Sequence, residues 1–474
     1  MPRHFLNPLT IHSLTGFASI ILLLLCAQTI NAKPKARPNV ILIMADDLSA
    51  KELSCYGHPR HQTPHLDQLA NTGIYFDTCY TACVCHPTRF EIMTGQYGST
   101  NDVYHFAGRA GGPDPDSPEE QIVNHLTFGQ VLKDAGYATA HAGKWQLSGK
   151  LPTLVYECGF DEYCMWAYKH NLPQGVKHVG GWEGKQGKKT SRYWGPSILK
   201  NGKYLPTTMD DYGPDIFTDF LIDFAKRHRD DPFFLYFPMA LTHNPAYSTP
   251  TTNPNLKEKF RDSKKEKFQE NVEYMDKLVG RMVATIEDLG LRDDTIIIFV
   301  GDNGTGLEGK NTPTERGARV PMIVNCPGRV KTVGRSEALV DTSDVMPTLV
   351  ELCSASLPKN HPIDGHSFAP ILRGETQHVR DWIFSYLSDG RILRTQRYLL
   401  EENNPDDFGR LYDCGTNRDG TNYRDVTDST DPEVLKIKKQ FQEILDTKPT
   451  PSLTTEQKAS QRERYARDYK KFRN

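Results

Sequence analysis

The stretch Val40-Ile41-Leu42-Ile43-Met44-Ala45-Asp46-Asp47 decides how this chain is read. An apolar run of this length without alternation, ended by two carboxylates, suits a strand buried on both faces of a sheet. Three further runs repeat the pattern: Tyr137 to Ala142, Phe233 to Phe237 and Ile296 to Val300. Helical spacing fills the intervals. Thr63-Pro64 opens one helix before Leu66, Leu69 and Ala70. Ile216, Phe217, Phe220, Leu221 and Phe224 mark another, and Tyr274 to Ile286 a third that stops at Gly290. Strands alternating with helices predict an α/β sandwich around a large, mostly parallel sheet.

Each run delivers polar residues just past its end: Asp46-Asp47, Lys144, His243 and Asp302-Asn303 in turn. Ligands of open α/β sheets bind outside the carboxyl ends of the strands. Alone, Asp46-Asp47 reads as a helix N-cap and His243 as a loop histidine; four strands supplying one edge make a constellation. Asp46, Asp47, Asp302 and Asn303 offer only oxygen ligands, which suits Ca²⁺, or less well Mg²⁺, and argues against zinc. Three carboxylates converging without a cation would repel, so the sequence alone predicts that a cation is required.

The chain has 474 residues, 57 Lys plus Arg against 59 Asp plus Glu, and a formal charge of −2. No whole-molecule field draws it to nucleic acid. Arg3 and His4 precede an apolar run, Phe17 to Cys26, that is too short for a comfortable span, with Ala32 following. This predicts a signal peptide over residues 1–32, export to the periplasm or medium, and no stable membrane span in the mature chain. Nine cysteines remain beyond it, an odd number that asks which one stays unpaired. The sequon Asn303-Gly304-Thr305 is the only one, which favours a bacterial exported protein. Composition changes after about Gly374: short alternating segments at 382–386 and 391–400 and a helix with Val434, Ile437, Phe441 and Ile444 predict a small α+β domain over 375–474, with a charged, solvated helix or tail from Thr455.

Cys85-His86-Pro87-Thr88-Arg89-Phe90-Glu91-Ile92-Met93-Thr94-Gly95 is the most specific segment. Pro87 can open a helix, which puts Cys85 where backbone N–H groups favour an anion and Arg89 one turn inside. This run resembles the signature of the type I sulfatases. Gly136-Tyr137-Ala138-Thr139 with Gly143-Lys144-Trp145 resembles that family's second signature. Asn39 to Asp47, Gly301-Asp302-Asn303-Gly304, and Gly309-Lys310 with Glu315-Arg316-Gly317 and Arg319-Val320-Pro321 resemble its metal strands and lysine loop. The resemblance implies an alkaline phosphatase-like sandwich over 33–374 and a smaller C-terminal domain. It implies that a maturation enzyme oxidises Cys85 to formylglycine, whose hydrate is the nucleophile. It also implies that Asp46, Asp47, Asp302 and Asn303 bind Ca²⁺ together with modified Cys85. Arg89 would steady the hydrate and Asp302 would activate it. Lys144, Lys310 and His243 would contact sulfate, with His243 or Lys310 protonating the leaving oxygen.

Gln146 departs from the family, which usually has a histidine there; a neutral amide cannot remove a proton, so another base or slow elimination is expected. His141, if in a strand, faces away from Lys144 and Gln146. Thr88 replaces a commoner serine, and Cys83 could pair with an unmodified Cys85. Gln146 and His105 are further candidates for substrate contact, although a lone histidine such as His105 more often reads as an ordinary surface residue. From Lys169 to Arg192 there are six basic residues and one acidic, beside Trp166, Tyr168, Trp182, Tyr193 and Trp194, a composition that suits an anionic sugar as well as an ordinary solvated loop. The leading expectation is an exported, Ca²⁺-dependent sulfatase acting on sulfated carbohydrate. The alternatives are a phosphodiesterase or phosphonate monoester hydrolase of the same superfamily, and a catalytically weak sulfated-glycan-binding protein.

Overall fold

Val40, Leu42 and Met44 pack into one apolar cluster while Ile41, Ile43 and Ala45 pack into another. The first strand, β1 (Asn39–Ala45), is therefore covered on both faces, which is why its sequence does not alternate. The computed structural model describes Met1 and residues 37–473, apart from 107, 113, 115, 150, 168–190, 209, 253–264, 307 and 419 and the side chains of 265, 266 and 468–473.

The remaining strands of the main sheet are β2 (Ile74–Tyr80), β3 (Ala138–Gly143), β4 (Glu162–Trp166), β5 (Ile198–Lys200), β6 (Lys203–Tyr204), β7 (Phe233–Pro238), β8 (Thr295–Gly301), β9 (Arg319–Asn325) and β10 (Gly334–Asp341). Their order is β10-β2-β9-β8-β1-β7-β3-β4-β5-β6. The four runs read from sequence are the neighbours β8, β1, β7 and β3, all parallel, so their carboxyl ends line one edge. Antiparallel pairing enters at β9 and at β5. Helices Pro64–Thr72, Gly213–Arg227 and Lys265–Asp288 supply apolar stripes to the cluster containing Ile41 and Ile43, and helix Cys85–Thr94 to the one containing Val40 and Leu42.

A second, antiparallel sheet follows: β11 (Trp382–Leu387), β12 (Gly390–Thr395), β13 (Tyr398–Asn403), β14 (Arg410–Asp413) and β15 (Arg424–Asp425). The segment read as one piece from Arg391 to Leu400 is two strands, because the chain reverses after Thr395. β11 buttresses the approach to Cys85. Ser385 Oγ donates to the Thr81 carbonyl (2.6 Å), and Cys83 N–H donates to the Tyr386 carbonyl (3.2 Å). The charged tail is a helix, Thr455–Arg473, and it is not wholly solvated: Gln461 is buried and Tyr465 Oη donates to the Leu387 carbonyl (3.1 Å).

All nine described cysteines are free and eight are buried, so the odd count has no disulfide behind it in this structure. Cys83 Sγ lies 3.4 Å from Ser385 Oγ. The expected signal peptide falls outside the described residues, as do Lys169, Lys177, Lys185, Lys188 and Lys189 of the basic insertion together with Tyr168 and Trp182. Among the described residues no helix is long and apolar enough to cross a membrane.

Candidate active site

Cys85 is the first residue of helix Cys85–Thr94. Val84 precedes it in extended conformation with no side-chain cap, which leaves the first-turn N–H groups for another acceptor. The thiol is fully buried, and burial raises its pKa despite Lys144 and Lys310 nearby. As a thiol, then, Cys85 is not an activated nucleophile.

Around it stand three carboxylate–cation pairs. Lys144 Nζ donates to both oxygens of Asp46 (2.7 and 2.6 Å), Lys310 Nζ to Asp47 Oδ1 (2.5 Å), and Arg89 Nη2 to Asp302 Oδ2 (2.7 Å). All six side chains are at most 10% exposed. Lys310 Nζ is also 3.9 Å from Cys85 Sγ. Asp47 adopts a left-handed backbone (φ 59°), and its N–H donates to Asp302 Oδ1 (2.9 Å), which ties the ends of β1 and β8. Gly143 ends β3 at φ 118°; a Cβ there would lie 2.1 Å from the Pro238 carbonyl, the same oxygen that accepts from Lys144 N–H at 2.7 Å.

Burial raises Asp46, but Lys144 and other cations prevail and hold its carboxyl near 2. Asp302 goes the other way, pushed up to about 7 by burial and by Asp46. Burial, Lys310 and Arg192 hold the His243 imidazole well below its ordinary range, although 26% of its side chain still meets solvent. Arg192 Nη2 lies 3.0 Å from His243 Nδ1 and 2.8 Å from the Asn244 carbonyl. His243 Nδ1 also lies 2.5 Å from the Asn244 carbonyl, so it faces a donor and an acceptor at once, while Nε2 is 3.7 Å from Asp47 Oδ2. Tyr193 Oη braces the same loop through the Ala240 and His243 carbonyls (2.9 and 2.7 Å).

The pairing corrects one expectation. Carboxylate repulsion does not by itself require a metal, because each of the three acids has its own cation. The case for a cation rests instead on donors left over. Among the described residues Asn303 Oδ1 is buried without a partner, while its Nδ2 donates to Asp47 Oδ1 (2.9 Å). Acceptor atoms of Asp46, Cys85 and Asp302 lie within 4.8 Å of one another. So do those of Asp46, Asp47 and His243; within these groups the carboxylate oxygens of Asp46, Asp47 and Asp302 with the orphaned amide oxygen of Asn303 fit a hard divalent cation.

Asp46, Asp47, Cys85, Arg89, Lys144, His243, Asp302, Asn303 and Lys310 are thus gathered at one edge. His105 does not join them. It is buried rather than at the surface, its Nδ1 accepts from Phe106 N–H (2.7 Å), its Nε2 faces Arg464 (3.4 Å), and burial holds it near 3. His141 is fully buried against Trp145, Phe160 and Tyr236 and is also held near 3 by burial. The sequon does not act as a glycan acceptor, since Asn303 is fully buried in the site. Two residues went unread in the sequence. His86 and Glu120 flank Cys85 and the Lys144 loop, and only His86, inside the motif, carried any signal.

The sulfatase family model matches residues 38–355, and the model of the N-sulphoglucosamine sulphohydrolase C-terminal region matches 306–449. Human arylsulfatase A is 31% identical over 408 residues, covering 79% of this chain and 74% of that protein. Among solved structures, Ps i-CgsB in complex with k-i-k-neocarrahexaose has a TM-score of 0.71 at 23% identity, covering 92% of this chain and 99% of that one. A protein solved with its substrate D-glucosamine-2-N,6-O-disulfate has a TM-score of 0.65 at 22% identity, covering 86% and 97%. These two likenesses show the shared fold.

Proposed function

Because the chain belongs to the sulfatase family and is a sulfuric ester hydrolase, we propose that it removes sulfate from sulfated carbohydrate through a formylglycine made from Cys85 and a Ca²⁺ held by Asp46, Asp47, Asp302 and Asn303. The observation that carries this reading is Cys85 at an uncapped helix start, fully buried, 3.9 Å from Lys310 Nζ, with its thiol raised rather than activated. A residue so placed needs different chemistry to attack sulfur. Formylglycine supplies a hydrated aldehyde whose second hydroxyl permits elimination, and the cation supplies charge for the sulfate oxygens.

The chain's own groups do the rest. Lys144 and Lys310 clamp the ester oxygens, and His243, beside Asp47 at the same edge, protonates the leaving oxygen. Arg89 steadies the residue-85 side chain while holding Asp302, and Asp302 is the carboxylate that takes a proton from the attacking hydroxyl. Three acids and three bases cancel, so a divalent cation gives the cleft a positive excess that suits a sulfate anion. Sugar-bound relatives of the same fold support a glycan substrate. We read the chain as exported after cleavage of residues 1–32, matured by a formylglycine-generating enzyme, with a domain boundary near residue 374.

Sulfate release from a panel of sulfated polysaccharides and their oligosaccharides, with mass spectrometry of the Cys85 peptide, tests the proposal. Release from sugar sulfates by protein carrying formylglycine is the expected result. Equal turnover by unmodified Cys85 protein, or hydrolysis of phosphodiesters alone, overturns it.

A further inference from the structure

Of the six basic residues read between 169 and 192, Arg192 is the one the structure describes, and at 7% exposure it turns inward rather than toward solvent. Its guanidinium carbon lies 5.0 Å from the centre of the Trp166 ring and 5.2 Å from that of Tyr193. Aromatic faces attract a planar cation, so the two rings hold the guanidinium in place. From there Nη2 comes within 3.0 Å of His243 Nδ1 and donates to the Asn244 carbonyl (2.8 Å). One nitrogen thus spans the imidazole and the backbone beside it.

The neighbours of Arg192 grip the same loop. Tyr193 Oη lies 2.9 and 2.7 Å from the Ala240 and His243 carbonyls, and Trp194 Nε1 donates to the Ser248 carbonyl (2.8 Å). Behind them Gly213 opens a helix where a Cβ would lie 2.2 Å from the Arg192 carbonyl, so only glycine lets that helix back the segment this closely. Residues 192–194 are a bracket for the His243 loop. Tyr193 and Trp194 hold that loop by its carbonyls; Arg192 also holds the imidazole. His243 needs the hold, because 26% of its side chain meets solvent while Nε2 stands 3.7 Å from Asp47 Oδ2 at the candidate cation site. A proton donor acts only within hydrogen-bond reach of the atom it protonates, and a ring left free to turn would lose that reach.

We propose that Arg192 is a positioning residue that holds the His243 imidazole in the orientation from which it protonates the leaving oxygen. This rests on the sulfatase reading above, in which His243 is that acid. As the S–O bond breaks, its electron pair stays on the leaving oxygen and takes the proton of His243, which solvent then restores.

Leaving groups separate this role from a merely structural one. A weakly basic 4-nitrophenolate departs with little need of a proton, whereas a more basic phenolate needs one. Substituted phenyl sulfates, from 4-nitrophenyl sulfate to phenyl sulfate, vary that need at nearly constant shape. The quantity to measure is kcat/KM of formylglycine-bearing protein, which covers the steps up to S–O cleavage, so that slow expulsion of sulfate afterwards does not hide the effect. Arg192→Met is expected to lower every rate, and to lower phenyl sulfate roughly 10–100-fold more than 4-nitrophenyl sulfate, a share of the usual worth of general-acid help. Arg192→Lys keeps the charge but not the fork; it should fall between, and it serves if Arg192→Met does not fold. His243→Ala should steepen the series by itself, and Arg192→Met should steepen it no further in that background. Losses equal across the series, or further steepening in the His243→Ala background, overturn the proposal. Steepening by His243→Ala but not by either Arg192 variant sinks this proposal alone. If His243→Ala leaves the series unchanged, another group supplies the proton, and the acid role of His243 falls together with that of Arg192. Wild-type protein that turns over none of these sulfates nor any sugar sulfate fails the sulfatase reading first and takes this one with it.

Discussion

Arg89 and Asp302 form a 2.7 Å ion pair in which both side chains are shut off from water, and the other arm of Arg89 holds the Lys144 carbonyl at 2.9 Å. One guanidinium thereby joins the Cys85 helix to the ends of β8 and β3. Removing one member of a buried pair strands the other's charge, which typically costs about 3–5 kcal/mol. Arg89→Ala is expected to lose that much stability in urea denaturation. Arg89→Lys should be only partly better, because an ammonium lacks the fork that reaches both partners. A loss under about 1 kcal/mol in Arg89→Ala would refute the role given to the pair.

The leftover acceptor on Asn303 bears on metal binding. Chelation is expected to lower both activity and melting temperature, since an ion at about 100 times its Kd stabilises the folded state by about 2.7 kcal/mol. Readdition of Ca²⁺ should restore both, and Asn303→Ala should shrink the calcium-dependent shift. A zinc requirement, or a second metal in elemental analysis, counts against the oxygen-ligand assignment.

Lys310 reaches both Asp47 and Cys85, so it serves the reacting centre rather than the fold alone. Lys310→Ala is expected to lower kcat about 10²–10³-fold, the usual effect of losing one donor to developing negative charge. Its KM should change far less. A pure KM effect in steady-state kinetics would show that Lys310 only binds.

Away from the site, Asp344 is fully buried beside Asp341 and Arg380. Burial pushes its carboxyl up to about 8, further raised by Asp341 and opposed by Arg380. Because the folded pKa lies above the unfolded value of 3.8, the folded state binds the proton more tightly. Its contribution is full below about pH 4 and is lost as pH rises through about 8. Glu91, also raised by burial and by Asp341, acts in the same sense. Stability should fall by on the order of 2–4 kcal/mol between pH 5 and 8, and Asp344→Asn should flatten that slope. Melting temperatures that rise over this range in wild type would overturn the sign.

No described histidine replaces the one missing at position 146. His86 has both nitrogens engaged, His141 is packed among aromatic rings and held near 3, and His243 is neutral with Nδ1 facing Arg192. Gln146→His puts an imidazole where the backbone is left-handed, a conformation histidine tolerates better than most residues. Single-turnover sulfate release on 4-nitrophenyl sulfate is expected to speed up by about 10²–10⁴, the usual worth of general-base help. Release at the wild-type rate would mean that proton removal does not limit expulsion.

Four apolar runs and the residues just after them were enough to predict four buried strands of one mostly parallel sheet with their polar ends at one edge, because strands buried on both faces leave no alternation; that they are the neighbours β8, β1, β7 and β3 came from the structure. The helix at Cys85 was equally legible, since Pro87 and the apolar spacing after it act within one turn. What sequence could not carry was pairing across long separations. That Lys144 neutralises Asp46, Lys310 Asp47 and Arg89 Asp302 depends on side chains up to 263 residues apart, and it overturned the repulsion argument for a metal. His105 reads as a surface histidine until a helix from the end of the chain covers it. His86 and Gln146, 60 residues apart, reveal their tie only when the Cys85 helix packs against the loop after β3. Local chemistry sets which elements form and which end of each is polar; burial and the partner that arrives from elsewhere in the chain decide what each polar group can do.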